Sequence, residues 1–146
     1  MRVFLDASIL LDKYDEARLS HHFSHKAYEY LLLSDDTQIY TSCDIITTLY
    51  YVGSKNNKSQ ILHDIRATNK TLKVIEFSNK EIEETCALMI NDNNYKDLED
   101  TIQYIMAKKQ KCDLIISNDK NFVSKDIKVM SSEEFFKAYV YDNNKQ

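Results

Sequence analysis

The sequence predicts an α/β domain on a mostly parallel sheet of about five strands, and three observations carry that expectation. Short β-prone runs recur along the chain, each too short to be a helix. The segments between them are long enough to hold helices, and such an alternation gives parallel neighbouring strands. The length, 146 residues, suits one domain with one core.

The strand runs are residues 2–5, 38–41, 72–75, 113–116 and 127–129, rich in Val, Ile, Leu, Phe and Tyr. Helical patterns fit 24–34, 43–55, 58–67, 79–91, 98–109 and 133–139. Proline is absent and Gly53 is the one glycine, so boundaries are read from clusters of Asn, Asp, Ser and Lys. Ser78-Asn79-Lys80-Glu81 and Ser131-Ser132-Glu133-Glu134 have the Ser-x-x-Glu form of a capping box. Residues 91–95 read as a polar loop between two helices. A single domain is expected over 1–141, with 142–146 a short polar tail; there is no repeat, linker or second domain.

Hydrophobic content of 43% with 29% charged residues is that of a folded globular domain and excludes intrinsic disorder. The opening Met-Arg-Val-Phe-Leu-Asp offers neither a secretory signal nor a membrane helix, so a cytosolic protein is expected. Cys43, Cys86 and Cys112 are odd in number and widely spaced, which suits reduced core thiols better than zinc or disulfides. His21, His22 and His25 fall in a polar stretch ahead of a helix and read as surface residues. The tyrosines, Tyr28, Tyr30, Tyr50, Tyr51 and Tyr104 among them, read chiefly as half-buried packing, with Tyr50 and Tyr51 marking a partner surface.

The net charge of −4 gives no long-range attraction to nucleic acid. Binding to RNA must therefore be local, assisted by metal, or supplied by a partner. The lysine runs at 55–58 and 108–111 read as solvated faces.

Acids carry the chemistry. Asp6 ends the first strand, where ligands bind in parallel α/β sheets, and it is equally suited to cap a following helix. Residues 95–104 open a helix with Asp97, Glu99 and Asp100 in its first turn, where the helix dipole also favours acids. On a helical wheel Leu98, Ile102, Ile105 and Met106 share an apolar face, while Asp97, Asp100 and Tyr104 form a separate stripe. The strand at 113–116 runs into Ser117-Asn118-Asp119, placing a further acid at a strand end. Converging carboxylates repel one another unless a cation is present, and hard oxygen ligands favour Mg²⁺ or Mn²⁺ over zinc.

The segments Val-Phe-Leu-Asp-Ala-Ser-Ile-Leu-Leu-Asp, Asp-Leu-Glu-Asp-Thr-Ile-Gln-Tyr and Asp-Leu-Ile-Ile-Ser-Asn-Asp-Lys-Asn-Phe resemble, in order, the three acidic signatures of PIN domains. The resemblance spans nearly the whole chain and implies a three-layer α/β/α sandwich. It also implies a metal-dependent endoribonuclease acting on single-stranded RNA, of the kind found as VapC-like toxins. Asp6, Asp100 and Asp119 match the family's metal ligands for Mg²⁺ or Mn²⁺, with Asp97 as their neighbour and Ser8 and Ser117 as polar support. An antitoxin protein that blocks the pocket and a homodimer are implied as partners, and no membrane. The sequence departs from the family at Thr48, where PIN domains usually carry a glutamate; Asp44, one helical turn earlier, is the acid on that face. A PIN-like module that acts by binding alone is the second reading that Thr48 leaves open.

Overall fold

Strand β1 (Arg2–Leu5) is buried from Val3 onward and occupies the centre of the sheet in the computed structural model, which describes residues 1–141. Its neighbours are β2 (Gln38–Ser42) and β4 (Leu114–Ile116), with β3 (Lys73–Ile75) and β5 (Lys128–Met130) outside them, in the order β3-β2-β1-β4-β5. Every pairing is parallel, with Phe4 opposite Tyr40 on one side and Ile115 on the other. The first three strands step one way across the sheet, and the chain then crosses back over β1 to lay down β4. The order therefore reverses between β1 and β4, and beyond their carboxyl ends a crevice opens, the usual ligand position in such folds.

The helices follow from that reversal. α1 (Ala7–Tyr14) and α2 (His21–Leu33) join β1 to β2, and α3 (Cys43–Gly53) and α4 (Lys58–Thr71) join β2 to β3. The return crossover carries α5 (Asn79–Asn91) and α6 (Leu98–Lys109). α1 packs against α2 and α3, and α3 against α4, while α5 and α6 pack on each other. Right-handed crossovers in opposite directions put these groups on opposite faces of the sheet, giving the three-layer α/β/α sandwich. α7 (Ser132–Phe135) follows β5, packs on α2 and continues as a π-helical stretch, Phe136–Tyr141. Among the described residues, no helix is long and apolar enough to cross a membrane. The polar tail expected at 142–146 lies outside the described residues.

The β1 strand and the helices at 79–91 and 98–109 fall where the sequence puts them. Elsewhere tertiary contacts move the boundaries. α2 starts at His21, so the three histidines lie within the helix and not ahead of it: His21 stacks on His25 at 5.7 Å, and His22 packs on Phe23 and Phe136. The box at Ser131 forms, with Ser131 and Glu134 capping each other's backbone. The one at Ser78 does not, because the Glu81 carboxylate is drawn to Lys109 Nζ at 2.5 Å and Ser78 makes no side-chain cap. The expected helix at 133–139 divides into α7 and the wider π-helical turns. Of the three cysteines only Cys112 is a core residue; Cys43 is half-buried and Cys86 exposed on α5. Tyr28 and Tyr104 are fully buried, whereas Tyr51 is 68% exposed.

Candidate functional site

Asp6 stands where β1 gives way to α1. It is the N-cap of α1, its Oδ1 accepting the Ala7 N–H at 2.7 Å, so the capping role is real. The other oxygen, Oδ2, accepts the hydroxyls of Ser8 at 2.9 Å and Ser117 at 2.7 Å. The residue is 4% exposed, and burial pushes its carboxyl above the ordinary range while the Ser117 and Ser8 hydroxyls pull it back. Three donors on a buried carboxylate favour its charged form and fix its direction. Both serines are thus supports of Asp6, one from each side of the crevice.

The loop after β4 carries Asp119, and Asn118 anchors it. The Asn118 N–H donates to Ser8 Oγ at 3.0 Å, and its amide nitrogen donates to Asp12 Oδ2 at 2.6 Å and Ser24 Oγ at 3.0 Å. Its amide oxygen accepts from the backbone N–H and the hydroxyl of Ser132, both at 2.9 Å. One side chain therefore ties α1, α2 and α7 to the end of β4. Asp119 follows at once, its N–H held by Ser117 Oγ at 3.1 Å and its own Oδ1 accepting the Asn121 N–H at 2.9 Å. Nothing around Asn118 in the sequence marks it, since its side-chain partners come from distant segments.

The third contribution is the start of α6. Asp97 is the N-cap, its Oδ1 accepting the Asp100 N–H at 2.9 Å, so one of its oxygens is committed to the helix. Asp100 turns into the crevice. Burial first, then the charges of Asp6, Asp97 and Asp119 and a hydrogen bond with Asp119, push its carboxyl up to about 8. The wheel is corrected here: Leu98 is 55% exposed, and Tyr104 is buried with its hydroxyl donating to Asp126 at 2.6 Å. Ile105 and Met106 of the expected apolar face are buried, and Thr101, Gln103, Tyr104 and Ala107 are buried with them.

Glu99, to which the sequence reading gave no role, also points inward. Thr48 on α3 donates its hydroxyl to Glu99 Oε1 at 3.0 Å. Burial raises the Glu99 carboxyl; the Thr48 bond lowers it, and Asp44, Asp6 and Asp97 raise it by repulsion. Asp44, in the first turn of α3, accepts the Ser42 hydroxyl through Oδ1 and is likewise raised by burial, while its Oδ2 is buried without a hydrogen-bond partner. The acids thus lie in a row of mutual repulsion from Asp119 through Asp100 and Asp6 to Glu99 and Asp44. A signal was present in the sequence, since Glu99 adjoins Asp100 and Thr48 has a lone hydroxyl, but their pairing spans 51 positions.

This donor set fits a hard divalent cation. It is all oxygen, several carboxyls are pushed up by one another, and one buried oxygen lacks a donor. Among the described residues no three His, Cys, Asp or Glu side chains stand grouped closely enough to hold a metal ion. Outside the acids a cleft of about 770 Å³ is lined by Asp97, Asp100 and Asp119 and rimmed by Lys96, Lys120 and Lys125.

A model of the PIN domain matches residues 3–128. The chain is 46% identical over 134 residues to a ribonuclease VapC1 of Aquifex aeolicus (strain VF5), covering 92% of each protein. It is similar in structure to VapC20 of Mycobacterium tuberculosis, described as a sarcin-ricin loop cleaving toxin. That match has a TM-score of 0.70 at 10% identity, over 82% of this chain and 92% of that one. VapBC2 of Rickettsia felis, solved with a DNA fragment from its promoter, matches with a TM-score of 0.68 at 17% identity, over 90% and 98% of the two chains.

Proposed function

The chain belongs to the PIN domain family, and from that premise we propose that it is a metal-dependent endoribonuclease that cuts single-stranded RNA as the toxin of a toxin–antitoxin pair. The observation that carries this reading is the convergence of Asp6, Asp100 and Asp119 on the crevice where the strand order reverses. The 46% identity to a protein named as a ribonuclease supports the same chemistry here.

In this reading Asp6, Asp100 and Asp119 hold Mg²⁺ or Mn²⁺, with Asp97 at the rim. An ion held there would supply Lewis acidity and lower the pKa of a bound water toward neutrality. The chain's own residues do the rest. Ser8 and Ser117 aim Asp6 and oppose the burial that raises its carboxyl, and Asn118 sets the position of the Asp119 loop. Lys96, Lys120 and Lys125 border the cleft and meet the phosphates on either side, a local attraction that the net charge of −4 does not provide. An antitoxin would act by covering this cleft.

The test is cleavage of a mixed panel of single-stranded RNAs by the purified protein with Mn²⁺, Mg²⁺ or EDTA, with Asp100→Asn as control. Cleavage that requires both the metal and Asp100 is expected. A folded protein that cleaves nothing and binds no Mn²⁺ would replace this reading with a PIN module that acts by binding alone.

A further inference from the structure

Thr48 stands where a glutamate is usual in this family, yet the carboxylate it fails to supply is not missing from the crevice. We propose that Glu99 provides it from the opposite side, as a further carboxylate ligand of the divalent cation, and that Thr48 is the positioning residue that aims it. The inference rests on the metal-dependent nuclease reading above and deepens it.

Two observations carry it. First, Glu99 sits in the opening turn of α6, where the helix dipole favours an acid in any outward rotamer. It instead leans across to α3, where Thr48 Oγ1 donates to Oε1 at 3.0 Å. Among the described residues no lysine or arginine pairs with it there, and its neighbours are the acids Asp6, Asp44 and Asp97. A half-exposed carboxylate that leans toward like charges for one neutral hydrogen bond is poorly explained by packing. Second, Asp44, from the same helix as Thr48, has its buried Oδ2 short of a well-formed hydrogen bond, while the Ser42 hydroxyl on Oδ1 and the backbone amides of Asp44 and Ile45 favour its charged form. An acceptor-only atom in that position is satisfied by a cation close by. Both point to positive charge between α3 and the start of α6, next to Asp6.

The pairing also makes chemical sense of the substitution. A glutamate at position 48 would face Glu99 at hydrogen-bond distance, and two carboxylates there would repel. A threonine hydroxyl donates to Glu99 Oε1 and leaves Oε2 uncommitted among the described residues. The carboxylate has moved from α3 to α6, and the residue left behind holds it in place.

The experiment is a Mn²⁺ titration of the full chain, stripped with EDTA, followed by calorimetry and by the melting temperature. Wild type, Asp6→Asn, Glu99→Gln and the double variant Glu99→Gln/Thr48→Glu are compared. Glu99→Gln is expected not to lower the metal-free melting temperature and to bind Mn²⁺ at least tenfold more weakly. The double variant, which returns a carboxylate to α3, is expected to recover most of that loss, a result that a merely structural Glu99 would not give. Glu99→Gln binding Mn²⁺ within twofold of wild type, or a double variant no better than Glu99→Gln, overturns the proposal. Because Asp6→Asn is measured alongside, the two failures are distinct: loss in Asp6→Asn but not in Glu99→Gln refutes Glu99 alone, whereas a wild type that binds no Mn²⁺ refutes the metal reading and this inference with it.

Discussion

Raising the pH of the metal-free protein through neutrality should destabilise it, and Asp100 is one cause. Its carboxyl is pushed from 3.8 up to about 8, by burial first and then by Asp6, Asp97 and Asp119. In the unfolded chain that proton is gone by about pH 5, whereas the folded chain keeps it until about pH 8. Between those values the native state binds the extra proton, so stability falls as pH rises. One whole proton would give a slope of about 1.4 kcal/mol per pH unit. Asp100 is partly open to solvent, so screening leaves about 0.3–0.7 kcal/mol per unit, or about 1–2 kcal/mol from pH 5.5 to 8.5. For a domain of this size that is a fall of about 3–8 °C in melting temperature. Asp6, Asp44 and Glu99 are raised too and add slope of the same sign, so the clean quantity is wild type minus Asp100→Asn, each melted in EDTA across the range. Saturating Mn²⁺ should reverse the difference at pH 8.5, since it neutralises the acids and binds wild type more tightly than Asp100→Asn. If the two proteins show parallel pH profiles in EDTA, the carboxylates do not repel as described and the case for a cation among them fails.

Two further outcomes are expected. Asn118→Ala strands buried partners on Asp12, Ser24 and Ser132, and at about 1–3 kcal/mol for each unsatisfied group, partly relieved by water, should cost about 2–4 kcal/mol in urea unfolding; a loss below about 1 kcal/mol would show that Asn118 is not the anchor. Replacing Lys96, Lys120 and Lys125 together by alanine should leave the melting temperature unchanged and lower the salt dependence of RNA binding by about 2 in log–log slope, since each phosphate contact on a single strand adds about 0.7; an unchanged slope would place the RNA elsewhere.

The sequence displayed what depends on neighbours along the chain and hid what depends on partners across the fold. Val3-Phe4-Leu5 followed by an acid is legible as a buried strand with a polar end, because strand burial and the chemistry at its tip are both local. The helices at 79–91 and 98–109 are legible for the same reason, through spacing and capping. Which face of α6 turns inward was not. Leu98 and Tyr104 compete for burial on different stripes, and the loop that makes Asp97 a cap decides for Tyr104. The failed box at Ser78 has the same origin, since Lys109 takes Glu81 from 28 positions away. Asn118 and Glu99 escaped notice because each derives its role from contacts tens of residues distant, and an asparagine in a turn or a glutamate in a first helical turn has an adequate local explanation.

Those two residues also explain how the acidic crevice is kept. A row of carboxylates brought together by a sheet reversal would relax outward if nothing opposed it, since side chains at helix starts and strand ends have solvent to turn to. Here the opposition is built from neutral donors. Ser8 and Ser117 hold Asp6, Ser42 holds Asp44, Thr48 holds Glu99, and the backbone amides of Asp119 and Asn118 lock onto the serines that do the holding. Hydroxyls suit this task better than lysines would, because a fixed ammonium would neutralise the acids permanently and occupy the place of an exchangeable cation. The positive charges stand outside, at Lys96, Lys120 and Lys125 along the cleft, where in the proposed function they would meet a phosphate backbone without closing the centre. A negative interior held by hydroxyls and edged by lysines separates the two attractions that a chain of net charge −4 needs, one for a metal ion and one for RNA.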